Sequence, residues 1–106
     1  MTDTVIRMPA QAKAGEVITV RAMVRHPMES GFRHDNVGKP IPRHIVESFV
    51  CRYGGREVFR AQLSSGVTTN PYFQFYLRAA ETGDVNFTWV DDRGRVFEAV
   101  FRLEVI

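Results

Sequence analysis

The 106-residue sequence predicts an all-β fold, an immunoglobulin-like β-sandwich of about seven strands. Three observations carry that reading. Apolar and polar residues alternate at period two, turn signals recur roughly every ten residues, and no long segment places its apolar residues at helical spacing. The length fits a single domain over residues 1–106. A domain of this size buries roughly 60–70% of its unfolded surface, enough for a sheet-on-sheet core without metal or disulfide.

"TVIRM" reads as a short first strand. "EVITVRAMVRH" is the clearest, with Ile18, Val20, Ala22 and Val24 on one face and Thr19, Arg21, Met23 and Arg25 on the other. A long loop follows. "RHIVESFVCRY" then turns Phe49, Cys51 and Tyr53 inward and Val46, Ser48, Val50 and Arg52 outward. Gly54-Gly55 is a two-residue hairpin of the type that needs positive φ, and it leads into "REVFRAQL". "SSGVTTN" is a loop closed by Asn70-Pro71, after which "YFQFYLRA" points Phe73, Phe75 and Leu77 inward. "ETGD" turns the chain into "VNFTWVD", where Val85, Phe87 and Trp89 share a face. "DDRG" is a second tight turn, and "RVFEAVFRLEVI" aligns Phe97, Ala99, Phe101, Leu103 and Val105.

The composition is that of an ordinary globular protein, 44% hydrophobic and 25% charged with a formal charge of +2. No Lys/Arg run concentrates that charge, which argues against a nucleic-acid partner. "MTDTVIRMPAQAKAGE" has neither a basic n-region nor an apolar h-region, and no stretch approaches the ~20 apolar residues of a membrane span. Composition alone therefore reads as soluble and cytoplasmic. The single cysteine excludes an internal disulfide.

Residues Met23–His44, "MVRHPMESGFRHDNVGKPIPRH", break the strand pattern, and so long a loop in a short chain is usually functional or disordered. Its His26, His34, His44, Glu29 and Asp35 raise the idea of a metal site. The histidines, however, lie eight and ten positions apart with no short-spaced ligand pair, so solvating or capping roles are expected and no metal is assigned. Cys51, on an inward aromatic face, is expected to be an inert core thiol. Asp91 and Asp92 are expected to start a turn through side-chain bonds to backbone, in preference to acid–base work. No phosphate-binding glycine loop or catalytic triad appears. The alternating Phe and Trp residues read as core, whereas Tyr72 and Tyr76 face outward, where Tyr can anchor an interface. Val46, Val50, Val90, Val96 and Val100 are expected on the outer face of one sheet. An apolar patch there would mark an association surface, and self-association when a partner is absent.

"VRAMVRHPMESGFR", "GKPIPRH", "NPYFQFYLRA" and "FTWVDDRG" together resemble the SoxZ family, the small subunit of the SoxYZ thiosulfate-oxidation carrier, from Ile6 to the terminal strand. The resemblance implies an immunoglobulin-like sandwich that is not an enzyme and holds no cofactor. It pairs as a heterodimer with SoxY, whose Cys in a mobile Gly-Gly-Cys-Gly-Gly arm carries covalent sulfur intermediates to other sulfur-oxidation enzymes. It also implies a periplasmic location reached by export alongside SoxY, which displaces the cytoplasmic reading. This chain ends "FRLEVI", and its Gly54-Gly55 lies in a hairpin, so the swinging thiol is expected on the partner. The loop residues Arg25, His26, Pro27, Met28, Glu29 and Arg33 are the expected partner contacts, with Val50, Val90 and Val100 as a second set on the sheet face. The loop Arg and His groups would also attract an anionic, sulfonate-like conjugate. Two rival functions come from other classes: a metal-binding redox or hydrolytic domain using the loop histidines, and a generic protein-binding sandwich.

Overall fold

A computed structural model describes residues 3–106 of the chain. It contains β1 (Thr4–Arg7), β2 (Gln11–Ala12), β3 (Val17–Val24), β4 (Val46–Tyr53), β5 (Arg56–Gln62), β6 (Tyr72–Arg78), β7 (Gly83–Asp91) and β8 (Val96–Val105). A three-stranded sheet of order β1-β3-β6 packs on a five-stranded sheet of order β2-β8-β7-β4-β5. The expected all-β sandwich is thus present, with one strand more than the alternation indicated. That strand, β2, has only two residues, too few to alternate, and pairs in parallel with the end of β8 (Gln11↔Glu104, Ala12↔Val105).

The core lies where period two puts it. Ile18, Val20, Ala22, Val24, Phe75 and Leu77 of one sheet face Phe49, Cys51, Val85, Phe87, Trp89, Phe97 and Leu103 of the other, all buried. Aromatic rings close the gap between the sheets. Phe49 stacks on Phe73 at 4.7 Å and Phe59 on Phe75 at 4.4 Å between centroids. Each fully buried large side chain of this kind contributes on the order of 1.5–3 kcal/mol of transfer free energy. The β4–β5 hairpin turns over Gly54 (φ +59°) and Gly55 (φ +79°), with Tyr53 opposite Arg56, as its sequence requires.

The valine face departs from expectation. β4 and β7 shift register between Val46 and Ser48, so parity reverses there and Val46 turns into the core, fully buried. Val50 does lie opposite the core residues but is itself buried, and Val90 is half-buried. Val96 and Val100 remain exposed, at 51% and 61%. Val90 faces Val96, but Val100 faces Asn86 and Glu98 faces Thr88. Polar residues therefore divide the face, and the expected continuous apolar patch is absent from it. Tyr72 and Tyr76 are exposed on the outer face of the other sheet. There the Tyr72 hydroxyl and Arg21 Nε both donate to Gln74 Oε1.

Between β3 and β4 the chain folds back on itself as an arm. Glu29 and His44 exchange both backbone bonds (2.7 and 2.8 Å), and His34 bridges Pro40 further out. At the tip, Asp35 Oδ1 accepts the N–H groups of Val37 and Lys39. Residues 31–40 are all exposed, including Phe32 (83%) and Val37 (77%). The molecule measures 58 × 24 × 19 Å. Its longest strand, of ten residues, spans about 33 Å.

Candidate functional site at the root of the arm

Antiparallel pairing brings seven strand ends to one end of the sandwich: the starts of β1, β4, β6 and β8 and the ends of β3, β5 and β7. Three polar residues sit on those ends. His26 follows β3 by two positions, His44 precedes β4 by two, and Asp91 is the last residue of β7. Their side chains meet although they are 18 and 47 positions apart. His26 Nε2 lies 3.2 Å from His44 Nε2, His44 Nε2 lies 3.0 Å from Asp91 Oδ2, and His26 Nε2 lies 3.5 Å from the same oxygen. His26 is 4% exposed and Asp91 3%, while the His44 side chain is 20% exposed and opens the cluster to solvent on one side.

Each member is held by its neighbours. Asn70 Oδ1 accepts the His26 backbone N–H and the Asn70 N–H donates to the His26 carbonyl, which fixes the His26 backbone against the segment entering β6. The His26 ring lies edge-on to the His44 ring at 4.3 Å and to Phe97 at 6.1 Å. The Met28 N–H donates to His26 Nδ1 at 3.1 Å, so the single proton of the neutral ring sits on Nε2, facing the cluster. Met28 reaches that position with φ +50°, a costly conformation for a side chain with a Cβ, and buries its own thioether, whose Sδ accepts the Val46 N–H. Asp91 works with both oxygens. Oδ1 accepts the Arg93 and Arg95 N–H groups and so shapes the β7–β8 turn, while Oδ2 faces the histidines.

The electrostatics follow from this packing. Burial lowers the His26 pKa, the neighbouring His44 lowers it further, and the Asp91 carboxylate only partly opposes them. For Asp91, burial alone would raise the pKa. The hydrogen bonds from His44, from the Arg95 and Arg93 backbone and from His26 outweigh it and hold the carboxyl below its ordinary value.

The sequence-derived contact set is divided by this geometry. Arg25, Pro27 and Arg33 are exposed, and Glu29 is half-buried with its Oε1 accepting Arg33 Nη1 at 2.7 Å. His26 and Met28 are buried, so their side chains shape the root of the arm and are not surface that a docking partner meets. Of the candidate metal donors, His34 and Asp35 stay out on the arm, whereas His26 and His44 converge. Independent solvating roles for those two, inferred from their spacing, are corrected by the fold. Asp91 was read only as a turn residue, and it is both turn cap and cluster member. A signal for the cluster existed in the sequence: all three residues fall at strand boundaries, which an antiparallel sandwich collects at one end. Cys51 is fully buried, and burial pushes its thiol up to about 12. Arg43 contributes further charge near the root, pairing with Asp92 at 3.3 Å and Glu47 at 3.7 Å.

The family model described as "Sulphur oxidation protein SoxZ" matches residues 6–102. No curated protein matches the chain in sequence. Among solved structures, a superoxide reductase (neelaredoxin) variant from Ignicoccus hospitalis aligns with a TM-score of 0.75 at 16% identity, covering 99% of this chain and 81% of its own. The sulfur carrier protein SoxY from Chlorobium limicola f thiosulfatophilum aligns at 0.70 with 16% identity, over 100% of this chain and 81% of its own. The CARDB domain of PF1109 from Pyrococcus furiosus aligns at 0.60 with 12% identity, over 100% and 98%. At these identities the similarity shows a shared sandwich fold and nothing of chemistry.

Proposed function

The chain belongs to the SoxZ family of sulfur oxidation proteins, and from that premise we propose that it is the non-catalytic subunit of a SoxYZ-type carrier complex. In this reading it binds a SoxY-like partner in the periplasm, and the partner's C-terminal cysteine carries the covalent sulfur intermediates of thiosulfate oxidation. The family match over nearly the whole chain carries the proposal.

The state of Cys51 supports this division of labour. A covalent sulfur carrier needs an accessible thiolate that several enzymes can reach. The single cysteine of this sequence is buried at 0% exposure and its thiol is pushed up to about 12, so it stays protonated and out of reach at neutral pH. Cys51 is thus unsuited to carry sulfur, which supports placing the reactive thiol on the partner. Thiol-reactive reagent should leave Cys51 unmodified in the folded protein and label it on unfolding. Rapid labelling of the native chain would remove this support.

The arm is the contact surface we assign to the partner. It is exposed along residues 31–40 and rooted on a packed cluster, a rigid scaffold holding a presented loop. Arg25, Pro27 and Arg33 are its accessible members from the original set, with Glu29 holding Arg33 in place. The test is co-expression with a SoxY-like protein encoded beside it, ending in a Gly-Gly-Cys-Gly-Gly tail. A stable heterodimer recovered from the periplasmic fraction is expected, with binding weakened about tenfold when Arg25→Ala and Arg33→Ala are combined. Failure to form any complex overturns the functional reading. An intact complex with unchanged affinity and carrier turnover in the double variant overturns only the assignment of the arm.

A further inference from the structure

We propose that His26 Nε2, His44 Nε2 and Asp91 Oδ2 form a binding site for one divalent transition-metal ion of the Zn²⁺ class, which fastens both roots of the arm to the β7–β8 turn. The three donor atoms stand 3.0, 3.2 and 3.5 Å apart. A tetrahedral ion with bonds of about 2.0–2.1 Å spaces its ligands about 3.3 Å apart. A circle through the three donors has a radius of roughly 1.9 Å, just under such a bond length, so the ion sits slightly out of their plane as tetrahedral geometry requires. Two imidazoles and one carboxylate are a donor set that divalent Zn, Co and Fe accept and that Mg and Ca do not favour.

Burial adds to the fit. The His26 and Asp91 side chains are 2% and 0% exposed and come from different parts of the chain, so the donors are positioned by the fold before any ion arrives. Asp91 is further oriented by the two N–H groups on its other oxygen, the outer support that metal-binding carboxylates use. The His44 side chain, 20% exposed, leaves one side open for a water or an external ligand in the fourth position.

In the described arrangement His44 Nε2 donates a proton to Asp91 Oδ2, which must leave that nitrogen when an ion binds, and the proton on His26 Nε2 occupies the ion's place as well. An ion at Nε2 requires that proton to leave and the other ring nitrogen to carry one, yet Nδ1 now accepts the Met28 N–H. The strained Met28 supplies a way out. Flipping the Pro27–Met28 peptide moves Met28 φ from +50° to about −130°, out of the positive-φ range that side chains with a Cβ rarely adopt. The same flip turns the Met28 N–H away and presents the Pro27 carbonyl to a proton on Nδ1. That carbonyl gives up its bond from the Thr69 hydroxyl in exchange. The ion thus moves the His26 proton from Nε2 to Nδ1 with no net release from that ring, and the flip takes Met28 out of its left-handed backbone conformation.

The test uses the isolated, chelator-stripped full chain, so it stands apart from the carrier reading. Zn²⁺ is titrated by calorimetry and Co²⁺ by visible absorption. One equivalent should bind per chain with the intense bands of tetrahedral Co²⁺. His44→Ala, whose fold is checked by circular dichroism, should weaken binding at least about 100-fold. His34→Ala, altered far out on the arm, should bind as the parent does. On the parent protein, imidazole ¹⁵N NMR should show the His26 ring proton move from Nε2 to Nδ1 as Zn²⁺ is added, a readout independent of any variant. Absence of saturable binding, undiminished binding in His44→Ala, or a His26 Nε2 proton that persists under saturating Zn²⁺ each overturns the proposal.

Discussion

At one end of the sandwich the β4–β5 chain reverses over Gly54 and Gly55; at the other the β7–β8 chain reverses beside Asp91, which also faces two histidines. Both are tight antiparallel connections, yet they are held by different means. The glycine turn is a local matter of two dihedral angles, with no atom of the described residues within 4 Å of where either glycine's Cβ would stand. The Asp91 turn is joined to residues 47 and 65 positions away, through one buried carboxylate. The first end could be moved to another hairpin unchanged. The second exists only when the whole sandwich has formed, and it is there that the arm is rooted.

That contrast is broken most severely by Asp91→Ala. The substitution removes the acceptor of two backbone N–H groups and of the Nε2–H groups of buried His26 and half-buried His44. Each donor that stays buried without its acceptor costs about 1–3 kcal/mol, and several together are a large share of the roughly 5–15 kcal/mol that stabilises a domain. Urea unfolding of the metal-free protein should show that loss as a lowered midpoint with unchanged slope. A change under about 1 kcal/mol would mean that the turn holds without its long-range partners, and the two ends would then be alike.

The same contrast explains what the sequence made legible. Gly54-Gly55 announced its turn because positive φ at two successive positions is a local demand that glycine answers. Strand faces were readable for the same reason, since the alternation of Phe73, Phe75 and Leu77 needs no knowledge of the partner strand. Val46 was misread because a bulge is a property of the pair β4–β7 and leaves no mark on β4 alone. The His26–His44–Asp91 cluster shows in the strand boundaries but not in ligand spacing, for the same reason. Ligand spacing is informative only where the donors share one loop or helix, and here the spacing is set by strand order. The arm's identity as a feature was legible from its prolines and glycines, but which of its side chains turn inward was not. His26 is drawn in by the buried Asp91 carboxylate and Met28 by the Val46 N–H, groups that belong to other elements.

A moderate effect is expected at the glycine end. Gly54→Ala and Gly55→Ala each place a Cβ on a residue with φ near +59° or +79°, with open space around it. Strain alone then sets the cost, about 1 kcal/mol for each. Thermal unfolding should show shifts of about 4–8 °C per substitution, with the arm-end cluster untouched. Amide exchange protection at Arg93 and Arg95 should therefore follow the global stability and show no local loss. A local loss there would mean that the two ends are coupled through the strands, and the distinction between local and long-range closure would fail.

The smallest effect belongs to the arm itself, beyond its root. Arg33 pairs with Glu29 at 2.7 Å, but its side chain is 67% exposed, and the partners are four residues apart on the same arm. Water and salt screen such a pair, and holding two long side chains together costs conformational entropy. Arg33→Ala should therefore change stability by less than about 0.5 kcal/mol, a difference that 0.5 M salt erases. If it proved much larger, Glu29 would be the reason. Its Oε2 is buried with no hydrogen-bond partner among the described residues, and removing Arg33 would leave that carboxylate less compensated. Adding Glu29→Gln to Arg33→Ala separates the two causes: the neutral side chain should recover the excess loss only if the carboxylate charge produced it. A small effect at Arg33 beside a large one at Asp91 would locate the arm's stability in its root and leave its exposed length free to serve recognition.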